Sequence, residues 1–150
     1  MKIYIGADHR GVQFKERIKK ILSRHRVDVI DMGAYDDSQS CDYPKVAYKV
    51  AKAVAKSKTD RGILLCMSGI GQAMAANKVP GAYAALCYNV ESAKLSRQHN
   101  NSNILVLGAK FVKQQSLPLL IKTWLTTEFE GGRHQRRLNQ VKRIEKGLSL

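Results

Sequence analysis

The chain has 150 residues, with 26 lysines and arginines against 12 aspartates and glutamates, giving a net charge of +14. That length suits one domain burying about 68–70% of its unfolded surface, and the 44% hydrophobic content is ordinary for a globular protein. No apolar stretch approaches the roughly 20 residues needed to span a membrane, and an odd set of cysteines at unpatterned spacing (Cys41, Cys66, Cys87) excludes a disulfide framework.

Charge returns at Asp8 before any signal-peptide core can form, so a reducing cytoplasm is the expected home. The positive charge would permit a nucleic-acid-binding module. It is dispersed, however: Lys15, Arg17, Lys19 and Lys20, and then Lys49, Lys52, Lys56 and Lys58, read as solvated helix faces without interleaved aromatics. No nucleic-acid or membrane partner is expected.

In chain order, strand and helix alternate. Lys2–Gly6 is a β-run ending in Ala7-Asp8-His9-Arg10-Gly11, and Phe14, Ile18, Ile21 and Leu22 then form a helical stripe. Val27–Asp31 is a second strand closed by Gly33; residues 34–42 form a polar loop, and Tyr43-Pro44 opens a helix to about Lys58. Ile63–Cys66 is the third strand, Gly71–Lys78 a short helix, and Tyr83–Tyr88 the fourth strand after a Val79-Pro80-Gly81 turn. Helix Glu91–His99, buried strand Ile104–Gly108, a helix from about Lys113 to Glu128 and a last helix near Arg133–Lys146 complete the chain. Strands separated by helices imply parallel βαβ units in one open sheet covered on both faces.

Ligands in such sheets bind at the carboxyl ends of the strands. That rule gathers Ala7–Gly11, Cys66–Gly71, Asn89–Glu91 and Gly108–Lys110; it does not bring in His99 and Asn100, which close the fourth helix. Cys66 ends a buried strand where backbone N–H groups converge at a helix start, a setting that stabilises thiolates. The Ser68-Gly69-Ile70-Gly71 turn suits an anion, with a plain tight turn as the alternative. Met74 stands where a dinucleotide fingerprint needs glycine or alanine, no P-loop lysine follows, and no second histidine at ligand spacing accompanies His9. Neither a metal nor an organic cofactor is expected.

The last helix gives a further expectation. At about 100° per residue, Arg133, Arg137, Val141, Ile144 and Leu148 fall within roughly 80° of one another, with His134 and Leu138 at roughly 100° and 140°. Two arginines therefore share the apolar, inward stripe, where they need a buried carboxylate or an anionic ligand.

Together these segments resemble the ribose-5-phosphate isomerase B family, which includes allose- and galactose-6-phosphate isomerases. The resemblance rests on Gly6–Gly11, Asp42-Tyr-Pro44, Gly62 through Gly71, Ala75–Lys78, Leu95-Ser-Arg-Gln-His-Asn100 and Glu130-Gly-Gly-Arg-His-Gln135, in order along almost the whole chain. It implies a three-layer α/β/α fold with an open, Rossmann-like parallel sheet of five strands, and a C-terminal helix serving a neighbouring subunit in a homodimer or dimer of dimers. It implies interconversion of D-ribose 5-phosphate and D-ribulose 5-phosphate through an enediolate, with a hexose-6-phosphate as the other candidate substrate. Cys66 would be the proton-transfer base, His99 the acid/base that opens the furanose ring with Asp8 assisting, and Met67, Ser68, Gly69, Ile70 and Gly71 the anion hole. His9, Asn100, Lys110, Arg133 and Arg137 would hold phosphate. Met67 departs from the family's usual glycine after the cysteine, and Lys110 from its usual arginine.

Overall fold

In the computed structural model, which describes residues 1–150, β1 (Lys2–Ala7) is an interior strand and buries Ile3, Ile5 and Ala7. A 3-10 turn at His9–Gly11 leads into α1 (Val12–Leu22), whose Phe14, Ile18 and Leu22 repeat at four-residue intervals and pack inward. There follow β2 (Asp28–Asp31), α2 (Tyr43–Ala55), β3 (Arg61–Cys66), α3 (Ile70–Ala76) and β4 (Ala84–Leu86). The chain closes with α4 (Val90–Gln98), β5 (Ile104–Gly108), α5 (Leu117–Thr126) and α6 (Gly132–Glu145).

The five strands lie in the order β2-β1-β3-β5-β4 and every pairing is parallel. Because alternate side chains of a strand face opposite sides, Ile63 and Leu65 join a core with α1, α4 and α5, around fully buried Trp124. Leu64, Ile104 and Val106 join a second core with α2 and α3, built on Val46, Val50 and Val54. The result is a three-layer α/β/α domain, and no helix is long and apolar enough to cross a membrane.

Element limits shift where side chains compete for backbone. β4 is shorter than expected because Tyr88 and Asn89 turn their N–H groups to Ser92 Oγ, forming a capping box with the Asn89 side chain at the start of α4. The helix expected from Lys113 begins as a 3-10 turn, and α5 proper starts at Leu117 with Pro118 in its first turn, where a missing N–H costs nothing.

Lys15 corrects the expectation of a solvated helix face. It is fully buried, its Nζ donating to Asp31 Oδ1 at 2.7 Å and to the Ala34 carbonyl at 2.5 Å, with the Tyr35 ring 5.0 Å away. Burial pushes the Asp31 carboxyl up, but the Lys15 ammonium, the Gly33 N–H and Lys19 together hold it below the usual value of 3.8.

Two consequences position the site. Strand order reverses between the adjacent β1 and β3, so their carboxyl ends, at Ala7 and Cys66, flank the switch point. Each helix after a strand runs back to the opposite end of the sheet, which carries the end of α4 and its His99 away from Cys66.

Candidate active site

The site is built on the last residue of β3. Cys66 is 6% exposed, and its Sγ accepts the Gly69 N–H at 2.9 Å. Gly69 has φ +86°, a left-handed conformation that glycine adopts without strain, and this folds the turn back over the thiol. The turn is held from below by β5: Ala109 N–H donates to the Cys66 carbonyl at 2.9 Å and Lys110 N–H to that of Met67 at 3.1 Å. On its outer side a Cβ at Gly71 would stand 2.6 Å from the Tyr43 ring, so the aromatic side chain lies directly on the turn.

The five N–H groups expected to form an anion hole are not equivalent. That of Gly69 is committed to Cys66, and that of Ile70 to Ser68 Oγ at 3.3 Å. Met67, Ser68 and Gly71 keep their N–H groups free of partners within the chain. Beside them Asp8 is buried and its Oδ1 accepts no hydrogen bond. Burial pushes the Asp8 carboxyl up, opposed by His9 and by the Gly11 and Arg10 N–H groups. An orphaned acceptor next to free donors is suited to a ligand rich in hydroxyl groups.

Next to this turn opens a cleft of about 750 Å³ lined by His9, Arg10, Arg17, Met67 and Lys110 among others, with Asp37 as its only carboxylate. His9 Nδ1 accepts the Cys41 N–H at 3.2 Å, which fixes Nε2 as the nitrogen able to donate. Arg10 reaches Met67 Sδ at 3.7 Å, and Arg17 bonds Gln114 Oε1. The sequence reading missed Arg10, Gln13, Arg17 and Gln114. Residues 10, 13 and 17 recur at helical spacing beside His9, a signal that was available in the chain.

His99, Asn100, Arg133 and Arg137 lie elsewhere. Cys66 is level with Gly108 in the sheet, whereas Gly62 is level with Ile104 and donates to the Asn103 carbonyl. His99 and Asn100 belong to that lower end, roughly 13 Å away at about 3.3 Å per residue. There the His99 ring stacks on His134 with centroids 4.2 Å apart and planes 5° from parallel. Glu130 Oε2 lies 3.9 Å from His99 Nε2 and 3.6 Å from His134 Nε2. The second histidine, which sequence spacing did not offer, gives three potential metal donors within 4.8 Å of one another. Parallel rings, however, point their in-plane lone pairs side by side, not at a common ion.

The orientation expected for α6 needs correction. His134 and Leu138 occupy its inward stripe, while Arg133 and Arg137 are exposed, together with Val141 at 40% and Ile144 at 59%. The chain's own surface accommodates only the edge of the stripe near 100–140°, so the arginine-bearing sector stands bare.

A buried thiol, a carboxylate with one orphaned oxygen and free N–H donors, all beside a cationic cleft at the switch point of a parallel sheet, define an α/β enzyme for a small anionic substrate. The chain matches the Ribose/Galactose Isomerase family over residues 3–141. It is 42% identical to ribose-5-phosphate isomerase B of Escherichia coli, with 96% of each chain covered. The solved ribose-5-phosphate isomerase B of Clostridium thermocellum superposes with a TM-score of 0.94 at 45% identity, covering 99% of this chain and all of that one. That of Mycoplasma genitalium, with bound ribulose-5-phosphate, gives 0.91 at 43% identity over 97% and 96%. The chain belongs to the Ribose/Galactose Isomerase family.

Proposed function

We propose that this protein interconverts D-ribose 5-phosphate and D-ribulose 5-phosphate, in a site that two copies of the chain complete. The observation that carries the reading is the Cys66 thiol, buried at the switch point with the free N–H groups of Met67, Ser68 and Gly71 and the buried Asp8 carboxylate, whose Oδ1 is unpartnered, around it. Kinship with ribose-5-phosphate isomerases supports the choice of sugar.

The reaction begins with furanose opening. His99 of a second copy takes the proton of the C1 hydroxyl and protonates the ring oxygen, while Asp8 accepts a hydrogen bond from a sugar hydroxyl. Cys66, as thiolate, then removes the proton from C2 of the open-chain aldehyde. The C–H electrons form the C1–C2 double bond, and the carbonyl electrons move onto O1 as an enediolate. The proton of the O2 hydroxyl passes to O1 and leaves the charge on O2; its collapse to the C2 carbonyl and return of the proton from Cys66 to C1 complete the ketose. The N–H donors of Met67, Ser68 and Gly71 are fixed before charge develops, a condition in which a single donor is worth roughly 3 kcal/mol. His9 and Lys110 bind phosphate from one chain, and Asn100, Arg133 and Arg137 from the other. The three cysteines are unpaired, which suits work in the reducing cytoplasm.

Isomerisation of ribose 5-phosphate by the purified protein, assayed with EDTA present and with allose 6-phosphate in parallel, tests the reading. Conversion of the pentose with a higher kcat/KM than the hexose is expected; no conversion of the pentose would overturn the proposal. Cys66→Ala is expected to abolish hydrogen exchange at C1 of ribulose 5-phosphate in D2O while leaving the circular dichroism spectrum unchanged.

A further inference from the structure

His134 has no part in the chemistry described so far. It is 6% exposed, its Nε2 accepts and donates no hydrogen bond, and its ring lies flat against that of His99. The segment that carries it is tied to the end of α4, because the Glu130 N–H donates to the Gln98 carbonyl at 3.0 Å and the His134 N–H to that of Gly131 at 2.9 Å. Imidazole rings stacked at this distance limit rotation of one another. An exposed histidine at a helix end would otherwise sample several rotamers.

We propose that His134 is a positioning residue for ring opening: its buried ring clamps the His99 imidazole face to face and, with Glu130 at the Nε2 edge of both rings, holds it in one orientation. The inference rests on the assignment of His99 as the ring-opening group. Burial pushes the His134 imidazole down, and His99, Arg133 and Arg137 act in the same direction against Glu130. Of the two rings, His99 is the half-exposed one that can meet a sugar oxygen. His134 thus sets the orientation of His99 without touching substrate.

The test separates ring opening from enolisation. Ribulose 5-phosphate has its O5 phosphorylated and cannot close to a furanose, so deuterium exchange from D2O into its C1 needs the Cys66 step alone. Ribose 5-phosphate needs both steps. Misplacing a catalytic group by about 1 Å can cost on the order of 10²-fold. His134→Leu, which removes the stack, is therefore expected to slow isomerisation of ribose 5-phosphate roughly 10–100-fold, with C1 exchange within about twofold of wild type. His134→Phe, which keeps a flat ring in the buried slot, is expected to recover most of the lost rate. Equal loss of both reactions in His134→Leu and His134→Phe would reduce His134 to a structural role and overturn the proposal, as would wild-type isomerisation in His134→Leu. If His99→Asn itself slows exchange and isomerisation alike, the ring-opening assignment fails first. If His99→Asn shows the split and His134→Leu does not, only the positioning role fails.

Discussion

At the residue scale, the groups proposed to bind differ in setting from the group proposed to react. Cys66 is buried and held by the Gly69 N–H, while Lys110 and Arg137 are exposed cations without carboxylate partners. Phosphate is bound equally in ground and transition states, so its loss raises KM more than it lowers kcat. Arg137→Ala is accordingly expected to raise KM for ribose 5-phosphate by about tenfold, the equivalent of roughly 1.4 kcal/mol, with kcat within about threefold of wild type. Steady-state kinetics of the purified variant check this, and an unchanged KM would remove Arg137 from the phosphate site. Lys110 offers a compact charge where the family usually has the planar fork of arginine. Lys110→Arg is therefore expected to lower KM, read from the same kinetics.

At the element scale, α1 is anchored by a pair that hydropathy periodicity hides. The apolar stripe of Phe14, Ile18 and Leu22 was legible in the chain, and so were the buried runs of β1, β3 and β5. Lys15 was not. A lysine counts as surface in any pattern of hydrophobicity, and only the return of β2 alongside β1 brings Asp31 to it. Arg61 and Arg97 were hidden for the same reason: both donate to backbone carbonyls at the end of α5, at Trp124, Leu125 and Thr127, where a helix leaves acceptors unpaired. Burial pushes the Arg97 guanidinium down to about 10, with Arg61 adding to the effect. Removing one partner of a buried pair leaves an uncompensated charge, so Asp31→Asn is expected to cost about 3–5 kcal/mol of stability, measured by urea unfolding at neutral pH. The Asp31 carboxyl is held below its unfolded value of 3.8. Its contribution is therefore complete at neutral pH and is lost only as pH falls below about 3.8 and through the lower folded value. In acid the difference between wild type and Asp31→Asn is expected to shrink.

At the scale of the whole molecule, one chain carries the groups assigned to the proposed shared site at opposite ends of its sheet. Asp8, His9, Cys66 and Lys110 are at the carboxyl end of the sheet, and His99, Asn100, Arg133 and Arg137 at the other. Strand direction made the first group legible from sequence, because each member ends or follows a strand. In the second, helix periodicity singled out Arg133 and Arg137 as candidates for an anion, while His99 and Asn100 came only by family resemblance, since no rule of sheet topology joins α4 and α6 to Cys66. The bare sector of α6, with two arginines beside Val141 and Ile144, is an apolar and cationic surface of the kind a second copy would cover. A shared site has a consequence that a site within one chain lacks. When Cys66→Ala and His99→Asn chains are unfolded together and refolded, about half of the dimers are mixed. Each mixed dimer joins one site lacking both groups to one site with Cys66 and His99 intact. About a quarter of wild-type ribose 5-phosphate isomerisation is then expected from two preparations that are each nearly inactive. Activity that stays at the level of the separate variants, in a mixture shown by mass spectrometry to contain mixed dimers, would confine catalysis to groups of a single chain.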